Sequence, residues 1–158
     1  MKKYKFICGL SIILISLDQI IKLLISNFFN LHDSVKIIPN FLYITYVKNY
    51  GAAWSMFSGQ RLFLIIISVV GAIFVLYLIK QEKKLDTFKN IYYSFLLGGI
   101  VGNFIDRLFL GSVIDYIDTY IFGYNFPVFN LADSLIVCGV ILMIIESVVK
   151  NYGKSNSK

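Results

Sequence analysis

Four apolar runs divide the chain. Phe6 to Ile25 is the first, and it carries Asp18 and Lys22 inside it. Leu62 to Ile79 is the second and has no charge. Ile91 to Ile105 is the third and ends at Asp106-Arg107, and Val128 to Ile145 is the fourth, with Asp133 near its start. A helix that crosses a bilayer needs about 20 mainly apolar residues. The pattern predicts helices over about 6–25, 62–80, 89–108 and 129–150, the third extending beyond its short apolar run. The segments 26–61 and 109–128 lie between them. In the first, Phe41-Leu-Tyr-Ile-Thr-Tyr-Val47 is rich in β-branched and aromatic residues, a strand signature, and Pro39-Asn40 before it marks a turn. The expected fold class is an all-α membrane protein: four transmembrane helices with a small extracytoplasmic β-sheet, in a single domain over 1–158.

Composition agrees with lipid as the solvent. Hydrophobic residues make up 58% and charged residues 15%, and mean hydropathy is +0.74; soluble domains are about 45–50% apolar. The net charge of +6 does not point to nucleic acid, because the basic residues are scattered between apolar runs and form no basic face interleaved with aromatics. Their distribution reads as topology. With the N-terminus inside, ten basic residues (Lys2, Lys3, Lys5, Lys80, Lys83, Lys84, Lys89, Lys150, Lys154, Lys158) fall on the inner side and five (Lys22, Lys36, Lys48, Arg61, Arg107) on the outer. Both termini are therefore expected in the cytoplasm, with the two long intervening segments outside. Trp54, Phe57, Tyr116, Tyr120, Phe122, Tyr124 and Phe126 lie in those outer segments, and such aromatics favour the membrane–water boundary.

The opening MKKYKFICGLSIILIS has the basic start and apolar stretch of a signal peptide, but no A-x-A-like cleavage site follows and Asp18 interrupts the run. It reads as an uncleaved first helix. Cys8 and Cys138 sit inside apolar runs and read as buried packing residues rather than a disulfide framework. Cys8 does not read as a lipidation site, since its apolar segment follows it instead of preceding it.

Carboxylates in or beside membrane helices are costly and mark function by default. Of seven Asp and two Glu, Asp33, Asp86, Glu82 and Glu146 fall in loops or near the inner end of a helix and read as solvated charges. Asp18, Asp106, Asp115, Asp118 and Asp133 would gather at the outer ends of the first, third and fourth helices. Other chemistries are poorly supplied. The single histidine, His32, lies in a polar loop, and with two separated cysteines it makes no zinc site. A Ser-His-Asp triad would need His32, and no nucleophile elbow is present. Lys22 is one helical turn from Asp18, so it is expected to pair with that carboxylate rather than activate a serine. No metal and no cofactor are expected. Two carboxylates sharing a site and one proton remain, one as base on water and the other as acid to a peptide. A small transporter or proton relay using intramembrane carboxylates, and a noncatalytic scaffold, are the rival readings.

Asn49-Tyr-Gly-Ala-Ala-Trp54, Gly102-Asn-Phe-Ile-Asp-Arg107, and Val113-Ile-Asp-Tyr-Ile-Asp118 followed by Phe126-Pro-Val-Phe-Asn-Leu-Ala-Asp-Ser134 occur in that order, with Asp18-Gln-Ile-Ile-Lys22 as a fourth element. In these stretches the chain resembles the bacterial lipoprotein signal peptidases (type II) along essentially its whole length. The resemblance implies a membrane aspartic endopeptidase with Asp115 and Asp133 as the catalytic pair. Its substrate would be a prolipoprotein whose cysteine carries diacylglycerol, cleaved just before that cysteine at the outer face of the bacterial plasma membrane. Asn103, Asp106, Arg107 and Asn130 match polar positions around the dyad, Arg107 holding a peptide carbonyl or Asp106. Asn49 and Gly51 match a motif that shapes the substrate groove, and Asp18 and Lys22 the ion-pair element. Membrane lipids as surroundings, inhibition by globomycin-like cyclic peptides, and a monomer are further implications.

Overall fold

The computed structural model describes residues 2–155 apart from 53 and 55. Lys158 of the charge pattern and Ala53 of the Asn49–Trp54 motif lie outside the described residues. The elements run α1 (Lys2–Phe28), β1 (Ser34–Ile38), β2 (Leu42–Asn49), α2 (Arg61–Gln81), α3 (Thr87–Phe109), β3 (Val113–Ile121), β4 (Tyr124–Phe129) and α4 (Leu131–Ser155).

Among the described residues, three helical stretches are long and apolar enough to cross a membrane: Tyr4–Phe28, Arg61–Gln81 and Leu131–Lys150. Their large side chains are mostly exposed, among them Ile12, Ile13, Phe74, Leu76, Ile141 and Ile144. An apolar surface this extensive has no place in water and suits hydrocarbon. The helix missing from the three is α3, because it has a different job. It packs against α1, α2 and α4 at once and buries Lys89, Ser94, Asn103 and Asp106 along with three glycines. Residues chosen to face protein lower its apolar content.

Glycine sets how closely α3 can be approached. A Cβ on Gly99 would lie 2.3 Å from the Ala132 carbonyl oxygen, and one on Gly102 would lie 2.6 Å from Asp18 Oδ2. Small residues at membrane helix contacts permit this proximity. On α1, Ile7, Ser11, Asp18, Lys22 and Ile25 are the buried positions, spaced as one helical stripe facing α3. The apolar interior is in two parts. Ile7, Val75, Ile79, Tyr92, Tyr93 and Leu96 fill one end, while Ile25, Tyr46, Ile114 and Tyr116 fill the other, beneath the sheet. On α1 the buried polar residues Ser11, Asp18 and Lys22 lie between the two clusters, after Ile7 and before Ile25.

The four strands form one antiparallel sheet in the order β1-β2-β3-β4. The expectation of a small sheet holds, but the sheet is more than an appendage to an all-α fold. It includes β3 and β4, which the hydropathy pattern leaves as connecting segment. The first six residues of β3 are buried at five positions on both faces, so no apolar–polar alternation is visible, and Asp115 and Asp118 break its apolar run. In the β2–β3 register Val47 faces Asp115 and Asn49 faces Val113, after an irregularity between Ile44 and Val47. That register brings the Asn49 and Asp115 side chains together.

Two sequence expectations need correction. Cys8 and Cys138 are exposed, not buried, because their apolar runs face outward from the bundle. Glu82 and Glu146 are not simply solvated. Lys89 pairs with Glu82 and lies 3.8 Å from Glu146, which Lys150 also pairs, while Tyr92 Oη donates to Glu146 Oε2 at 2.8 Å. Asp86 caps α3 by accepting the Lys89 N–H at 2.9 Å.

Candidate active site

The start of α4 organises the site. The first N–H groups of a helix have no partner within it. Here the N–H of Leu131 donates to Tyr116 Oη at 3.2 Å, that of Ala132 to Asp18 Oδ1 at 3.0 Å, and that of Asp133 to Asn130 Oδ1 at 2.9 Å. The Asn130 N–H donates in return to Asp133 Oδ2 at 3.2 Å. This is a reciprocal capping box, with Asn130 as cap and Asp133 as the third helical residue.

Asn130, fully buried, also reaches the strand. Its Nδ2 donates to Asp115 Oδ1 at 2.7 Å and lies 3.1 Å from Asn103 Oδ1. One asparagine therefore touches both aspartates. The other oxygen of Asp115 accepts from Asn49 Nδ2 at 3.0 Å, and Asp133 Oδ1 accepts from Asn103 Nδ2 at 2.7 Å. Asp115 is buried on β3. Its carboxyl is pushed up to about 7, first by burial and then by the charge of Asp133, against the lowering effect of the Asn49 and Asn130 amides and of Lys22.

Behind this pair lies a second layer. Lys22 Nζ lies 2.8 Å from Asp18 Oδ2, 2.9 Å from Asp106 Oδ2 and 2.9 Å from Asn103 Oδ1, all buried. Lysine thus has Asp106 and Asn103 as partners in addition to the Asp18 expected from helical spacing. Asp106 Oδ2 accepts the Ile114 N–H at 3.1 Å, which ties the end of α3 to the start of β3. Gln19 Nε2 donates to Asp106 Oδ1 at 2.9 Å and to the Gly102 carbonyl at 3.1 Å. Asp106 is therefore held by Lys22 and Gln19, and Arg107 turns elsewhere. Its Nη2 is 3.4 Å from the Gly51 carbonyl, and its buried Nε finds no hydrogen-bond partner among the described residues. Gly51 is placed by its N–H, which donates to Asn49 Oδ1 at 2.9 Å.

Asp18, Asp106, Asp115 and Asp133 thus converge through Lys22, Asn103 and Asn130. Asp118 does not join them; its Oδ2 accepts from Thr45 Oγ1 at 2.7 Å. His32 is exposed and remote from these contacts. Sequence reasoning put Tyr116 among the boundary aromatics and Arg61 among the outer basic residues, and gave neither of them, nor Gln19, a part in the site; Tyr116 is in fact buried. Arg61 donates from Nε and Nη2 to the carbonyls of Arg107 and Leu108, both at 2.8 Å, and closes the end of α3. Asn130 and Asp133 at a spacing of three before an apolar run are the signature from which the capping box was legible.

A groove of about 1030 Å³ opens over the pair. Asn103, Arg107, Asp115 and Asp133 line its polar end, and Ile67, Gly71, Ile136 and Val137 its apolar wall between α2 and α4. Trp54 and Phe126 stack edge to face at 6.0 Å at the sheet side, with Phe126 on Phe129 at 5.8 Å. No cluster of three or more His, Cys, Asp or Glu suited to a metal occurs among the described residues. The carboxylates gather at one end of the bundle instead of spreading through its depth, which lends a proton relay no support.

Comparison with known proteins agrees with this arrangement. Residues 10–149 match the family described as signal peptidase (SPase) II, and the chain belongs to that family. Among its relatives, a lipoprotein signal peptidase of Staphylococcus aureus is 42% identical over 158 residues, covering 98% of this chain and 97% of the relative. The lipoprotein signal peptidase of Staphylococcus aureus strain JH9 is 42% identical over 145 residues, 89% of each chain. A bacterial membrane enzyme solved by the in meso method at 2.3 Å superposes with a TM-score of 0.86 at 40% identity, covering 96% of this chain and 91% of that one. Another solved at 1.9 Å gives 0.81 at 41% identity, with 89% and 90% covered. The chain is therefore a membrane protease with helices and a small antiparallel sheet.

Proposed function

We propose that this protein removes signal peptides from diacylglyceryl-modified prolipoproteins by aspartic catalysis, cutting just before the lipidated cysteine. The observation that carries the reading is Asn130 bonding both Asp115 and Asp133 on the wall of an amphipathic groove. Asp133 is the general base. It takes a proton from water, whose oxygen adds to the scissile carbonyl carbon. Asp115, protonated because it is buried beside the charge of Asp133, gives its proton to the leaving nitrogen. The proton gained by Asp133 restores the pair after product leaves. Arg107 Nε, without a hydrogen-bond partner among the described residues, and the Gly51 carbonyl would hold the peptide backbone. Acyl chains of the substrate lie along the apolar wall between α2 and α4, and Trp54 and Phe126 bound the peptide side.

The same reading has α3 as a fourth membrane crossing, both termini in the cytoplasm, the sheet and dyad at the outer face of the bacterial plasma membrane, and the enzyme working as a monomer in membrane lipid. The ten-to-five basic asymmetry supports it. Globomycin-like cyclic peptides would fill the groove. The deciding experiment is cleavage of a lipidated prolipoprotein by folded Asp115→Asn and Asp133→Asn variants. Each should lose on the order of 10²–10⁴-fold in turnover. Near wild-type turnover in both would exclude the dyad. A reporter after Lys158 should read cytoplasmic and one near Ser58 external; the reverse pattern would overturn the orientation.

A further inference from the structure

Three asparagines surround the proposed dyad, and the polarity of each amide is dictated from behind. Asn130 Oδ1 accepts the backbone N–H of Asp133, so its NH₂ faces Asp115. Asn49 Oδ1 accepts the backbone N–H of Gly51, so its NH₂ also faces Asp115. The third, Asn103, has no backbone donor in that place. Its Oδ1 is held by Lys22 Nζ at 2.9 Å, and its Nδ2 faces Asp133 Oδ1 at 2.7 Å. An ammonium has three donors and no acceptor, so only the oxygen of Asn103 can face it. Lys22 has used all three donors, on Asp18, Asp106 and Asn103.

We infer that Lys22 is a positioning residue of the dyad: it locks the Asn103 amide so that Asp133 Oδ1 meets an N–H instead of a carbonyl oxygen, the arrangement that favours the ionised form Asp133 needs as base. Lys22 itself touches neither aspartate of the pair. Without its ammonium, Asn103 Oδ1 keeps only the longer contact from Asn130, its carbonyl oxygen can turn toward Asp133, and two oxygens at hydrogen-bond distance demand a proton between them. The base then arrives already protonated. The other charged or titratable groups around this layer are Asp18 on α1, Asp106 and Arg107 on α3, and Asp115 and Tyr116 on β3. None of them contacts the Asn103 amide. Asn130 Nδ2 has two N–H groups for three acceptors, Asp115 Oδ1 at 2.7 Å, Asn103 Oδ1 at 3.1 Å and the Ile114 carbonyl at 3.3 Å. It therefore supports the same Asn103 orientation through a longer, shared contact beside the 2.9 Å charge-assisted one from Lys22.

This inference rests on the dyad proposed above, and the test separates the two. Lys22→Met combined with Asp18→Asn preserves the net charge of the buried layer and keeps an oxygen for the Ala132 N–H. Turnover of a lipidated prolipoprotein is measured against pH on folded, purified enzyme in detergent. The expected result is a loss of tenfold or more in kcat with KM within about twofold, and an acid limb moved up by about one pH unit. Loss of kcat with the acid limb unmoved would make Lys22 a structural residue and overturn the inference. Lys22→Arg, also a donor-only cation, reads the same question if the double variant does not fold. Its acid limb should stay at the wild-type position whatever its turnover, and an upward shift would overturn the inference. If the dyad reading itself fails, Asp115→Asn and Asp133→Asn stay active; if only the Lys22 role fails, those variants are dead while the acid limb ignores position 22.

Discussion

Asn130 and Asp133 bond each other twice, each accepting the other's backbone N–H on a side-chain oxygen. The bond pair starts α4 and fixes Asp133 in the same act. Asn130 then spends its amide NH₂ on Asp115. Helix initiation and dyad geometry therefore share one side chain.

That sharing separates two substitutions. Serine at position 130 still offers an oxygen to the Asp133 N–H but has no amide for Asp115. Asn130→Ser should keep most thermal stability and lose on the order of tenfold in turnover, the value of one hydrogen bond of about 1–1.5 kcal/mol. Asn130→Ala should lose the same turnover and about 0.5–2 kcal/mol of stability as well, from the missing cap. Melting temperature and cleavage rate, measured on both variants, check this.

The position of Asp115 sets an alkaline limit. On the proposed mechanism the pair works with one proton, and the carboxyl held at about 7 surrenders it as pH rises. Turnover should decline above about pH 7. The Asn49 amide stabilises the charged form of Asp115 and opposes its elevation. Asn49→Ala should move the alkaline limb to higher pH, even as the maximum rate falls. A pH–rate profile of the variant that keeps the wild-type limb would break the link between Asn49 and Asp115.

Linkage gives Asp115 a stability signature of definite sign. Its folded carboxyl binds protons more tightly than the ordinary value of 3.8 in the unfolded chain. Between about pH 4 and 7 the folded state holds the extra proton, so stability falls as pH rises through that window. Asp115→Asn cannot ionise and should raise the melting temperature at pH 8, with the gain vanishing near pH 4. Thermal melts of both proteins across that range would test it.

The crowding of α3 against α4 predicts a sharp contrast between two glycines. Gly99→Ala would put a methyl 2.3 Å from a backbone carbonyl and force the helices apart, at a cost of about 1–3 kcal/mol or more. Around Gly9 there is nothing within 4 Å of an added Cβ. Gly9→Ala should be neutral, or stabilising by up to about 1 kcal/mol through helix propensity. Melting temperatures in detergent of the two variants should differ in sign or by several degrees.

Much of this was legible in the chain before it folded. The predicted helices match α1 to α4 with ends displaced by a few residues; α1 starts at Lys2, ahead of Phe6. The strand over 41–47 became β2, Leu42–Asn49. What escaped was written in long-range geometry. The hydropathy of β3 hides its pairing because both faces are covered. Gln19 lies inside a quoted motif, yet only the approach of α3 gives its amide the Asp106 carboxylate and the Gly102 carbonyl. Spacing alone paired Lys22 with Asp18, since i and i+4 are neighbours on any helix. Its reach to Asn103 and Asp106 depends on Gly102, whose missing side chain leaves room for Asp18.

The groove between α2 and α4 ends at the exposed flank of the bundle, where Ile67 and Val137 face outward. A substrate anchored by acyl chains can slide in through that flank without surfacing into water. Encounter then happens in two dimensions. The quantity that governs rate is the number of substrate molecules per lipid or detergent molecule, and adding inert amphiphile would slow the enzyme by surface dilution while the amount of substrate per litre stayed the same.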